Sequence, residues 1–264
     1  MLTTRFVDGA PNWLDVGAPD LGGAVSFYGG LFGWQFESAG PEAGEYGFFQ
    51  LSGRTAAGGM EITEEQGPPS WTVYFQSSDA EATTKAAEQA GGSVRVQPMD
   101  VMDEGRMAIL ADPAGVPFGI WQPGRTKGIE VAGAPGGLCW VELYTPDIAR
   151  AAAFYHRVLG WETEGVPFPG AMYTCVSPAG AGLDAMFGGL VPLGEDAVET
   201  GSAAHWLPYF SVLDADAAVS DADRLGGTVR MPAKDLEGVG RVARFADPFG
   251  ARFAVLKSAP RQQG

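Results

Sequence analysis

Two acidic residues stand beside tryptophans at a spacing that allows chemistry. In "NWLDVGAPD" Trp13 precedes Asp15 by two positions; in "CWVELYTPD" Trp140 precedes Glu142 by two, and Tyr144 lies two further on. Both stretches read as strands, where side chains alternate faces and residues two apart share a side. A carboxylate set against an indole can orient a hydroxyl or amine. Partly stripped of water by that neighbour, it can act as a general acid or base. The flat rings suit stacking on a planar or conjugated molecule.

The elements that must hold these residues occur twice. Trp13, Asp20, Phe27, Tyr28, Gly33 and Trp34 recur 127 positions later as Trp140, Asp147, Phe154, Tyr155, Gly160 and Trp161. Trp71, Tyr74, Phe75, Asp79, Gly92, Arg106, Asp112, Pro113 and Gly115 recur 135 positions later, as Trp206 through Gly250. The eight extra residues fall between the two blocks, in the turn-rich "LVPLGEDAVETGSAAH". A duplicated chain follows, with domains at 1–124 and 135–264 and a Gly/Ala-rich linker at 125–134.

Each domain doubles again, more weakly: strand, Asp, helix, then about three strands. Asp20 and Asp147 suit helix N-caps. Behind them, Ala24, Phe27, Tyr28 and Leu31, and likewise Ala151, Phe154, Tyr155 and Val158, keep the i, i+3, i+4, i+7 spacing of a buried helix face. "DPAG" and "DPFG" read as type I turns between antiparallel strands. Trp34 and Trp161, closing their helices, read as core.

Composition narrows the function. The 264 residues are 45% hydrophobic, enough for a full core, and the net charge of −15 repels phosphate backbones, so no nucleic acid is expected as a partner. No apolar span of about 20 residues is present, and no signal-peptide core, so the expectation is a cytoplasmic protein with no membrane association. Cys139 and Cys175 have no metal-binding spacing and read as small core residues.

Four βαβββ units in two pairs, with "FYGGLFGW", "FYHRVLGW", "DPAG" and "DPFG", resemble the vicinal oxygen chelate superfamily, which includes glyoxalase I, bleomycin-resistance proteins and extradiol dioxygenases. The resemblance covers about 12–124 and 138–257, and is nearest to tandem glyoxalase-like members. It implies an α+β fold: two tandem domains whose curved, antiparallel-rich sheets enclose cups that bind ligands.

Metal-using members of that family take His, Gln or Glu ligands from the first and last strands of the paired units. The matching positions here are Trp13, Trp140, Thr72, Leu207, Gly119 and Ala254. None of these offers the usual donors, so no metal and no other cofactor is expected. Glu61 would be a ligand without partners. Of the two histidines, His156 falls on the outer side of its helix. His205 stands at the mouth of a strand, where Ser70 is its counterpart.

By alternation the cups would be lined by Thr72, Tyr74 and Gln76 with Trp121 in the first repeat. Tyr209, Ser211, Leu207 and Arg252 would line the second. Trp13, Trp140 and Tyr144 would supply further ligand contacts, and Glu142, Asp15 and His205 are the candidate catalytic residues. A structural alternative stays open: the indoles fill a hollow left by metal loss, and the acids bond to backbone or to Arg106 and Arg241. Tyr46 and Tyr173, which share the 127 offset, are either wall or core. Because Gly17 stands opposite Tyr144, Ser70 opposite His205 and Thr72 opposite Leu207, the second cup carries the richer chemistry.

Two functions compete. One is a metal-independent protein, monomer or homodimer, that binds a hydrophobic or aromatic small molecule in specialised-metabolite (antibiotic) biosynthesis, resistance or detoxification. The other is a metal-free lyase, isomerase or cyclase-type enzyme with Glu142 or Asp15 as acid or base. A metal-dependent glyoxalase or dioxygenase is disfavoured by the ligand positions.

Overall fold

The computed structural model describes residues 2–44, 46–168 and 171–259. The first repeat runs β1 (Pro11–Ala18), α1 (Leu21–Phe32), β2 (Gln35–Ser38), β3 (Gly47–Leu51), β4 (Arg54–Glu61), β5 (Ser70–Gln76), α2 (Ala80–Gln89), β6 (Ser93–Val101), β7 (Gly105–Ala111) and β8 (Pro117–Pro123). The second repeats that order: β9 (Leu138–Thr145), α3 (Ile148–Leu159), β10 (Glu162–Phe168), β11 (Ala171–Ser177), β12 (Gly188–Pro192), β13 (His205–Ser211), α4 (Ala215–Arg224), β14 (Thr228–Leu236), β15 (Gly240–Ala246) and β16 (Arg252–Ser258). The class is α+β, with four βαβββ units as expected.

Strand order is β2-β3-β4-β1-β5-β8-β7-β6 in one sheet and β10-β11-β12-β9-β13-β16-β15-β14 in the other. In every unit the first strand pairs in parallel with the last, as in β1 with β4 and β9 with β12, and the remaining described pairs are antiparallel. The crossover is supplied by the helix, as parallel neighbours require.

All four helices start on an aspartate whose carboxylate accepts from the first-turn backbone: Asp20 from Gly23 N, Asp79 from Ala82 N, Asp147 from Arg150 N and Asp214 from Asp216 N, each at 2.9 Å. Gly33 and Gly160 end α1 and α3 in the left-handed region, φ 72° and 70°, which disfavours other residues. The expected buried face of α3 is buried throughout. In α1, Leu31 is only half-buried and Phe32 lies inward instead.

Two compact units form, and each takes half of each repeat. One comprises 1–14, 72–129 and 140–207; the other comprises 15–71, 130–139 and 208–264. In the first, α2 packs on α3; in the second, α1 packs on α4. The sequence motifs cement these unions. Tyr28 donates its hydroxyl to Asp247 Oδ2 at 3.0 Å and accepts Trp71 Nε1–H at 3.0 Å, while Asp247 Oδ1 caps its own turn from Phe249 N and Ala251 N. The mirror bond joins Tyr155 to Asp112 Oδ2 at 3.4 Å. The "FY" of each repeat thus docks on the "DPxG" turn of the other. Burial raises both aspartate pKa values above the usual range, and pushes both tyrosines well above theirs, with the adjacent carboxylate adding to the rise.

Around these bonds sits the aromatic core. Trp34 packs among Phe32, Phe49, Trp71 and Phe210; Trp161 packs among Phe75, Tyr155, Phe187 and Trp206. Both indoles are core, as read from the sequence. Cys139 and Cys175 are buried free thiols, their pKa values raised by burial to about 12 and about 11. Among the described residues no helix is long and apolar enough to cross a membrane.

Candidate functional site

On β9, Glu142 lies opposite Gly189 of β12. That glycine decides the local geometry. A Cβ built on Gly189 would fall 2.1 Å from the Tyr173 hydroxyl, so only the bare backbone lets the phenol cross β12 and reach the acid. Tyr173 donates to Glu142 Oε1 at 2.7 Å, and its oxygen accepts Trp140 Nε1–H at 2.9 Å. Tyr144 donates to Glu142 Oε2 at 2.9 Å. Both carboxylate oxygens therefore take a phenolic proton, and bonds to a charged acceptor contribute about 1.5–3 kcal/mol each. Glu142 and Tyr144 are buried, whereas Trp140 and Tyr173 are half-buried and form the open side of the cluster.

His205 opens β13. Its ring stacks on Tyr144, centroids 5.1 Å apart and planes 6° from parallel. Its Nδ1 lies 2.9 Å from the Ala203 carbonyl oxygen, and its Nε2 lies 3.6 Å from Glu199 Oε2. Glu199 is fully buried, in a turn that starts at Asp196 in the connection between β12 and β13. The eight extra residues do not fall there as one block. Asp15 opposite Gly58 and Glu142 opposite Gly189 set an offset of 131 (189 − 58) at β4 and β12, between the offsets of 127 and 135, so half of them precede β12.

The first repeat holds a reduced version. Asp15 of β1 lies opposite Gly58 of β4, and Tyr46 crosses over that glycine to donate to Asp15 Oδ2 at 3.3 Å. Gly17, covered by Ile62, stands where the other repeat has Tyr144. Ser70, in the place of His205, is exposed.

Elsewhere in the first repeat, Trp13 stacks on Trp121 at 6.4 Å, and Trp121 Nε1 donates to the Thr126 carbonyl. The Tyr74 ring lies against Gly119, where a Cβ would come within 2.0 Å of it. A donor side chain at 119 is thus incompatible with Tyr74. Thr72 is half-buried and Gln76 bonds Asp8 at 3.3 Å. In the second repeat Tyr209 pairs in register with Ala254, Ser211 is buried, and Arg252 is half-buried at the start of β16. His156 is exposed on α3, as expected.

One expectation is overturned. Arg106 and Arg241 do not serve the acids: Arg106 pairs with Glu81 and Asp100, and Arg241 with Asp216 and Asp235, at the surface. These arginines follow a hairpin turn that carries them outward, and tyrosines reach Asp15 and Glu142 instead. Tyr46 and Tyr173 are thereby resolved as acid partners, a role at which only their shared offset hinted. Nothing in the repeat comparison marks Glu199, which lies between the two aligned blocks. Among the described residues no group of three or more His, Cys, Asp or Glu is placed to hold a metal ion.

The family model for the Glyoxalase/Bleomycin resistance protein/Dioxygenase superfamily matches residues 10–120 and 137–255. The chain is 40% identical to the anthracycline biosynthesis protein DauV of Streptomyces sp. (strain C5), over 96% of this chain and 95% of that one. It is 38% identical to the anthracycline biosynthesis protein DnrV of Streptomyces peucetius, over the same shares. Among solved structures it is similar to the 2,3-dioxygenase LapB from Pseudomonas sp. KL28, with TM-score 0.65, 16% identity, and 97% and 94% of the two chains covered. It is also similar to the Mn(II)-bound glyoxalase from Novosphingobium aromaticivorans, with TM-score 0.62, 14% identity, and 97% and 86% covered. The chain belongs to the glyoxalase/bleomycin resistance protein/dioxygenase superfamily, as a tandem two-domain member.

Proposed function

We propose that this protein binds a planar, hydrophobic or aromatic small molecule on the β9 side of its second repeat, without a metal, in the biosynthesis of an antibiotic-type metabolite. The observation that carries the reading is the Trp140–Tyr173–Glu142–Tyr144 chain of hydrogen bonds: two half-buried rings beside an acid held in one orientation. Half-buried aromatics with one fixed polar group are what an apolar ligand site needs, the rings for area and the acid for orientation. The likeness to two anthracycline biosynthesis proteins supports a fused aromatic ring system as the ligand class. The residues at the family's ligand positions, Trp13, Trp140, Thr72, Leu207, Gly119 and Ala254, do not suit a divalent ion.

A second reading, a metal-free lyase, isomerase or cyclase-type enzyme, draws on the same acid: Glu142 is oriented by two phenols as a proton-transfer group would be. Titration with a soluble anthraquinone panel, followed by tryptophan quenching and product analysis, separates the readings. Trp140→Ala is expected to weaken binding about tenfold or more through lost stacking. Glu142→Gln is expected to keep most affinity under both readings and to abolish turnover under the second. Unchanged affinity in Trp140→Ala would remove the site from consideration.

A further inference from the structure

The charge state of His205 is decided by what its two nitrogens face. A backbone carbonyl can only accept, so Nδ1, 2.9 Å from Ala203 O, carries a proton. Nε2 faces a carboxylate oxygen of Glu199 at 3.6 Å, and that carboxylate is fully buried. A buried acid is tolerated when neutral or paired with a positive charge. Lone pair against lone pair would repel, so a proton must lie between the two. The parallel ring of Tyr144, 5.1 Å away, places a negative π face over the imidazole and favours charge on the histidine.

We propose that Glu199 is a positioning residue that keeps His205 doubly protonated, so that the second repeat holds a fixed imidazolium against Tyr144. His205 then does not shuttle protons. It clamps the ring whose hydroxyl orients Glu142 Oε2. The assignment goes beyond the binding role above, because it does not depend on which molecule is bound. In the first repeat Ser70 stands in the place of His205.

Only two histidines occur in the chain, so nitrogen-15 spectra of the full-length protein, with His156→Gln to separate the signals, read His205 directly. At neutral pH both ring nitrogens of His205 are expected to resonate as N–H of an imidazolium, and Glu199→Gln is expected to convert the pair to one N–H and one bare nitrogen. A neutral pattern in the unsubstituted protein overturns the proposal, and so does an imidazolium that survives Glu199→Gln. Should that variant fail to fold, the carbon-13 shift of the Glu199 carboxyl decides in the unsubstituted protein: ionised supports the pair, protonated refutes it. Loss of ligand binding to Trp140→Ala bears on the site alone, so the two ideas fail separately.

Discussion

Tyr173 is the residue on which the second acid site turns. Its single oxygen both donates to Glu142 and accepts from Trp140. Replacing it by Phe keeps the ring but leaves Glu142 Oε1 without that donor and the indole N–H without that acceptor. Leaving one half-buried partner unmet costs about 1–3 kcal/mol. Tyr173→Phe is therefore expected to lose about 1–2 kcal/mol in urea unfolding, with ligand affinity falling as Trp140 loosens. Tyr46→Phe, whose bond to Asp15 is longer at 3.3 Å, is expected to lose less. Equal losses in the two variants would contradict the difference drawn here between the repeats.

Helices and turns are joined by the reciprocal Tyr–Asp bonds, which tie α1 to the turn before β16 and α3 to the turn before β8. Tyr28→Phe removes a donor from a buried carboxylate and an acceptor from Trp71 Nε1. The expected destabilisation is about 1–3 kcal/mol. Tyr155→Phe is expected to cost less, since its bond is 3.4 Å against 3.0 Å. Chemical denaturation of both single variants checks the order. The helix N-caps offer a control: Asp147→Ala, which frees one first-turn N–H, is expected to lose about 1 kcal/mol.

The whole molecule carries a net charge of −15, and two of its buried carboxylates are held above their ordinary pKa. Asp112 and Asp247 bind protons more tightly folded than unfolded, so their contribution is complete below the unfolded value, about 3.9, and fades as pH rises through the raised folded values. Acidification also relieves the self-repulsion of the negative charge. Thermal midpoints are thus expected to gain from these two groups as pH falls through their raised folded values toward the ordinary carboxylate value. Asp216, lowered by its hydrogen bonds to Arg241, acts the other way, and its contribution is lost only as pH falls through its depressed pKa, below the usual carboxylate range. At the alkaline end Tyr28 and Tyr155 hold their protons past the ordinary value near 10, so stability falls once the unfolded chain can ionise them and the folded one cannot. Asp112→Asn and Asp247→Asn variants whose midpoints keep the same pH dependence as the unsubstituted protein would contradict the role given to the two aspartates.

The sequence by itself determined the duplication, the βαβββ order, the aspartate caps of α1 and α3 and the placing of Trp13 beside Asp15 and Trp140 beside Glu142 along their strands. The duplication rests on matching residues at constant offsets of 127 and 135; the others rest on spacing within about ten residues, where strand alternation, helical period and capping are local rules. Tertiary structure alone decided which partner each acid would take, because a tyrosine 31 residues away in the chain reaches it only across a glycine on an intervening strand. It also decided that "FY" and "DPxG" meet across repeats and not within one, with 219 and 43 residues separating the bonded pairs. Contacts of that range depend on how whole sheets and helices pack, and no local period in the chain records them.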